Sequence, residues 1–118
     1  DLCVAFMTIN PITTGHALVV PIAEVDEWTD LPTELSSHLF NVAARIANAQ
    51  KMAFKCARIA LIIAGYEIPH CHLHLIPSNS MADLSFENAV ASVTRDDLEQ
   101  SSALIIAELR RLNVVGTL

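Results

Sequence analysis

The 118-residue chain is poor in positive charge, with seven Lys and Arg against thirteen Asp and Glu and a net charge of −6. A general binder of DNA or RNA presents a basic face. The seven basic residues here (Arg45, Lys51, Lys55, Arg58, Arg95, Arg110 and Arg111) fall in expected helices or near their ends, so no nucleic-acid partner is expected. Cysteine is also sparse. Cys3, Cys56 and Cys71 are odd in number and widely spaced, with no Cys-x-x-Cys pair. That argues against a disulfide framework or a structural zinc site, and for reduced, buried thiols. With one Trp, one Tyr and four Phe, the core has to be mainly aliphatic. Apolar runs are short: a representative one, residues 59–64, is far below the roughly 20 residues needed to span a bilayer. No charged-then-apolar leader opens the sequence. A soluble, cytoplasmic protein with no membrane partner is expected. The numbering starts at Asp1 in mid-pattern, so further residues are expected upstream of it.

What is present is apolar substance. Hydrophobic residues make up 53% and charged residues 17%, the balance of a folded globular chain. Its length fits one domain, 1–118, large enough to hold a core without staples.

Residues 2–9 read as a strand ended by Asn10-Pro11, because proline cannot donate to a ladder. Thr13-Thr14-Gly15 is a turn, and residues 16–20 form a second strand stopped by Pro21, antiparallel to the first. Thr29 or Asp30 can cap a helix with Pro32 in its first turn. Apolar residues at Leu35, Leu39, Val42, Ile46, Ala49 and Ala53 then mark one buried helical face. His38 falls in this helix and is expected to be exposed or half-exposed. Residues 58–63 are apolar after Arg58 and read as a third, central strand. Ala64-Gly65-Tyr66 turns the chain into a fourth strand, residues 70–76, closed by Pro77. Residues 78–93 read as loop. Thr94 and Asp97 resemble a capping box that opens a last helix running to about Leu112. Its apolar face is Leu98, Ile105, Leu109 and Leu112, with Arg110 and Arg111 at the negative helix end.

Three of the five histidines, His70, His72 and His74, alternate with Cys71 and Leu73. In a strand, alternate side chains share a face, so the three rings are expected to point one way and the apolar residues the other. A structural role explains three imidazoles in register poorly. A metal site is a second reading, with His16 as a further nitrogen ligand. The third is nucleophilic catalysis at phosphorus: a neutral imidazole attacks well near pH 7, and its neighbours hold the tautomer and stabilise phosphoryl oxygens.

The segment His70-Cys71-His72-Leu73-His74-Leu75-Ile76 resembles the signature of the histidine triad (HIT) family of nucleotide hydrolases and transferases. Residues 6–11 and 15–21 resemble that family's other strand pair, and Ala64-Gly65 its approach to the triad. The resemblance covers residues 1–77; the tail beyond Pro77 matches nothing in the family's shared core. It implies an α+β, two-layer HIT-like fold: an antiparallel sheet of about five strands, a long helix packed across it and a C-terminal helix. It also implies a homodimer with sheets joined across the interface, a purine nucleotide or nucleotide conjugate as partner, and no cofactor or metal. By the same resemblance His72 attacks the α-phosphorus, giving a nucleotidyl-histidine intermediate. His70 and His74 orient it and contact phosphate oxygens, and His16 supports the triad from the side. Phe6 and Ile9 line the nucleoside pocket. Thr8 stands where the family has an acidic or amide residue for the ribose hydroxyls.

The chain departs from the family's pattern where it would touch the leaving group. It lacks the usual asparagine and glycine-rich loop, Tyr66 replaces a glutamine, and Glu67 replaces a hydroxyl residue. A carboxylate facing phosphate is repulsive unless protonated, turned away or bound to a cation. The implied activity is a phosphoramidase or phosphohydrolase acting on a nucleoside phosphoramidate or dinucleoside polyphosphate. The alternatives are a HIT-fold nucleotide-binding or regulatory module with little turnover, and a nucleotidyl transferase.

Overall fold

The computed structural model describes residues 2–112; of the expected domain 1–118, Asp1 and residues 113–118 lie outside them. Four strands form one antiparallel sheet: β1 (Cys3–Met7), β2 (Ala17–Pro21), β3 (Arg58–Ile62) and β4 (Leu73–Ser78), in the order β1-β2-β4-β3. Two helices, α1 (Thr33–Phe54) and α2 (Arg95–Arg111), complete the α+β architecture. The sheet among the described residues thus has four strands where about five were expected.

One face of the sheet is the core. Val19 of β2 and Leu73 and Leu75 of β4 pack against Leu39, Val42, Ala43, Ile46 and Ala49 of α1. Steps of three and four along α1 place those residues on one stripe, and Ile105 and Leu109 of α2 join the same cluster. His38 is half-buried, as the helical pattern implies. The opposite sheet face carries Phe6, Leu18, His74 and Ile62, which the strand register sets in one row.

Several expectations need correcting. The third strand is not central: among the described residues β3 pairs only with β4 and forms an outer edge, with Leu61 left 41% exposed. Its apolar run had suggested burial on both faces, but the run here lies on an open edge. Pro77 does not close β4 but lies inside it. Thr13 Oγ1 donates to Pro77 O (2.7 Å), so the Pro77 backbone faces the side where β2 has already ended, and its missing N–H costs no ladder bond. Neither Thr29 nor Asp30 caps α1. Pro32 holds that position without a side-chain cap, and Trp28–Asp30 makes a separate 3-10 turn. The residue before a proline avoids the helical region, and Leu31 is extended (φ −64°, ψ 131°), which separates the two. Residues 78–93 contain two further 3-10 turns, Met81–Leu84 and Phe86–Asn88. Thr94 caps α2 by accepting from Asp97 N (3.1 Å), whereas a capping box with both arms present forms at Ser80 and Asp83. Leu112 is 40% exposed and lies outside the buried face of α2.

The turn ahead of β2 depends on Gly15. Its φ is +89°, a region L side chains rarely adopt, and a Cβ there would run into the ring of Phe54 on α1. Gly15→Ala is therefore expected to cost about 1–3 kcal/mol, read as a lower urea midpoint with an unchanged slope; an unchanged midpoint contradicts this role for the turn.

Candidate active site

Only His74 of the three clustered histidines lies in β4; His70, Cys71 and His72 precede it in irregular chain. The reason is a proline on the neighbouring strand. Val19 pairs with Leu73, so continuing the register would set Cys71 opposite Pro21, which has no N–H to give. Cys71 N donates instead to Val25 O (2.7 Å), and the Cys71 side chain is buried in the core, as the alternation implied. His70 turns to β2, where its Nε2 meets Pro21 O at 2.8 Å. It does not line the cavity that the other two histidines share. The expected row of three rings on one face is thus a pair, His72 and His74, with ring centroids 4.9 Å apart.

His16 completes the group. It immediately precedes β2, is 2% exposed, and its Nε2 lies 2.9 Å from His74 Nδ1. The partners fix the tautomers. Ile12 N donates to His16 Nδ1 (3.0 Å), so the neutral His16 ring carries its proton on Nε2 and donates it to His74 Nδ1. His74 then carries its own proton on Nε2, free to donate to an anion. A carbonyl can only accept, so His72 Nδ1, 2.7 Å from His70 O, holds a proton and leaves a lone pair on Nε2.

Burial keeps His16 and His74 neutral. Desolvation first, and the His74 ring second, push the His16 pKa down to about 4. Desolvation first, and His72 second, push His74 down to about 4. One ring thus presents an N–H and its neighbour presents a lone pair, a combination suited to binding a phosphoryl oxygen while attacking phosphorus.

These rings open on a cavity of about 410 Å³ whose wall includes Thr8, His16, Tyr66, Glu67, His72 and His74. Phe6 and Ile9 are not part of that wall. Phe6 sits beside Leu18 on the same sheet face but one strand further out, 48% exposed, and Ile9 is 68% exposed beyond the end of β1. The Thr8 hydroxyl accepts from Asn10 N (3.2 Å) and keeps its own proton to donate.

Three contributors escaped the sequence reading. Phe86, in the tail that matched nothing in the family core, sets its ring edge-on to His74 at 5.1 Å and lines the cavity. Asn10 holds that tail down, donating to the carbonyls of Val90 and Ala91 (3.0 and 2.9 Å). Gln50, wholly buried on α1, donates from Nε2 to Gly15 O (2.8 Å) and Leu75 O (3.0 Å). Those carbonyls adjoin His16 and His74, so one amide holds both strands at the point where the rings meet. A polar residue on an otherwise apolar helical stripe was the available signal for Gln50. Nothing in the local pattern pointed to Phe86.

The sequence profile described as HIT domain matches residues 1–81. The chain belongs to the HIT domain family. The adenosine 5'-monophosphoramidase of Saccharomyces cerevisiae is 35% identical to this HIT domain over 74 residues, 62% of this chain and 47% of that protein. The asymmetrical bis(5'-nucleosyl)-tetraphosphatase of Schizosaccharomyces pombe is 34% identical over 97 residues, 77% of this chain and 52% of that one. The chain spans roughly half of each of these two relatives. Among solved structures, a Hit-like protein involved in cell-cycle regulation from Bartonella henselae superposes with a TM-score of 0.79 at 27% identity, over 92% of this chain and 82% of that one. A hypothetical histidine triad nucleotide-binding protein from Sulfolobus tokodaii gives 0.83 at 21% identity, over 99% and 84% of the two chains, and speaks for the fold alone.

Two outcomes follow. Folded His16 and His74 take up protons only near pH 4 but near 6.5 when unfolded. Between those values the unfolded chain binds more protons, so stability falls as pH falls from 6.5 to 4 and these rings add no further loss below that. Urea midpoints across the range measure it; a midpoint that stays level contradicts the burial of neutral rings. Gln50→Leu leaves two buried carbonyls without their donor and is expected to cost about 1–3 kcal/mol. It is also expected to raise the pKa of both His16 and His74 towards 6.5, read by NMR titration against the unaltered protein.

Proposed function

We propose that the protein is a nucleotide hydrolase that cleaves at the α-phosphate of a purine nucleotide conjugate. The observation that carries this reading is the assigned pair: a free lone pair on His72 Nε2 beside a free N–H on His74 Nε2, in one cavity. In the first half-reaction His72 Nε2 attacks phosphorus. The bond to the leaving group breaks, and its electron pair departs with that group, which takes a proton. In the second, water attacks the same phosphorus, the bond to His72 breaks, and the ring recovers its lone pair as water loses a proton. His74 donates to a phosphoryl oxygen throughout, and His16 holds His74 in the donor tautomer. His70 acts through its backbone oxygen, which orients His72. Thr8 donates to the ribose. Phe6 serves the nucleoside from the open sheet face beside Leu18, and Ile9 from beyond the end of β1. The relatives named as a phosphoramidase and a tetraphosphatase support the class of reaction.

A homodimer is part of the reading. The edge of β3, unpaired among the described residues and with Leu61 exposed, offers a second copy both backbone groups and apolar area. Light scattering at twice the monomer mass supports it, and a monomer at all concentrations rejects it. The three free cysteines fit a reducing, cytoplasmic setting.

Mixing the protein with adenosine 5'-phosphoramidate is expected to release AMP. His72→Ala is expected to reduce the rate by at least about 10³-fold while AMP binding persists within a few-fold. Binding without turnover by the unaltered protein would leave a regulatory module as the reading. ADP in place of AMP when orthophosphate is added identifies a transferase.

A further inference from the structure

The cavity wall near the histidines is unusual in charge for a site that handles phosphate. Among the described residues it includes one carboxylate, Glu67, and no lysine or arginine. A polyphosphate leaving group would bring several negative charges next to that carboxylate with no side-chain cation to offset them. The same wall concentrates exposed apolar surface. Tyr66 is 97% exposed, Ile68 59% and Phe86 47%, and the chain has only one Tyr and four Phe in all. Apolar side chains left open around a carboxylate match a ligand with an apolar body and a positive charge. Aromatic faces attract a cation through their quadrupole, and a carboxylate attracts it directly.

Phe86 is held where such a ligand would meet it. Its ring lies edge-on to His74 at 5.1 Å. Its short 3-10 turn is tied at one end by Ser85, whose Oγ accepts from Glu87 N (3.2 Å), and by Asn88 Nδ2 donating to Ala82 O (2.8 Å). Asn10 fastens the segment beyond it through the carbonyls of Val90 and Ala91. Residues 82–91 are thus a fixed part of the site.

We infer that Glu67, Tyr66 and Phe86 form a leaving-group subsite, and that the subsite takes a cationic amine with an apolar or aromatic body in preference to a nucleoside polyphosphate. This rests on the proposed hydrolase reading and narrows its substrate class. The bond that breaks is P–N. Its electron pair goes to the amine nitrogen, which takes one proton from solvent as the bond breaks and a second to become an ammonium ion beside Glu67, while phosphorus is passed to His72 Nε2 and then to a water that returns both protons to solvent. Glu67 favours the charge that develops on the departing nitrogen, so the carboxylate that would repel a phosphate chain assists an amine.

The test is a matched series of adenosine 5'-phosphoramidates: the unsubstituted compound and three arylalkyl amides bearing an ammonium, a neutral or a carboxylate substituent of similar size. A dinucleoside tetraphosphate is run beside them, with and without magnesium. The ratio of kcat/KM between the ammonium and carboxylate members is expected to be about 10-fold or more for the unaltered protein, as for one favourable and one unfavourable charge contact at a partly exposed site. Glu67→Gln is expected to bring that ratio within about 2-fold, and Phe86→Ala to reduce the preference for arylalkyl over unsubstituted amide several-fold. A ratio near one in the unaltered protein, or a tetraphosphate cleaved faster than the ammonium conjugate under either condition, overturns the subsite. If the unsubstituted amide is not cleaved at all, the hydrolase reading falls and takes the subsite with it; if it is cleaved while the series stays flat, the subsite alone fails.

Discussion

One hydrogen bond organises the site: His16 Nε2 to His74 Nδ1, 2.9 Å across the β2–β4 seam. It has a direction only because Ile12 N occupies the other nitrogen of His16. From that backbone N–H, protonation is dictated ring by ring, and it ends in a donor on His74 that faces the cavity. Much of the fold serves this contact. The Gly15 turn brings His16 to the start of β2, Phe54 and Gln50 of α1 grip that turn and the carbonyl after His74, and burial keeps the two rings neutral near pH 7. Charging either ring would leave two facing donors in a desolvated seam, which is why the network has a single stable proton arrangement.

The second nitrogen pair has a different origin. His72 takes its tautomer from the backbone of His70, two residues earlier, and that local bond exists because the chain there is not strand. Pro21 ends the ladder, freeing residues 70–72 to turn. A proline on one strand thus sets the chemistry of a histidine on the next.

Much of this was legible in the residues. The period-two alternation of histidine with apolar residues predicted that Cys71, Leu73 and Leu75 enter the core, which holds, and that His70, His72 and His74 share one face, which holds only for His72 and His74. The stripe from Leu39 to Ala49 gave the long helix and its buried face. What was not legible depends on contacts distant in sequence. The strand order is set by which edges meet, so the apolar run in β3 read as central when it forms the rim. Phe86 meets His74 from a segment that Asn10, 80 residues before Val90, helps to anchor. The placement of His70 against Pro21 likewise follows from pairing register and from no property of residues 70–76 themselves. Composition could count the charges, but only the folded cavity shows that Glu67 stands there without a basic partner among the described residues.

The chemistry of the site turns on where three protons sit, and nitrogen NMR of the histidine rings reports that directly. In the unliganded protein at pH 7, ¹⁵N-resolved spectra are predicted to show His16 and His74 as neutral rings protonated on Nε2 and His72 protonated on Nδ1. A His72 ring carrying its proton on Nε2, or a positively charged His16 or His74 at that pH, would contradict it.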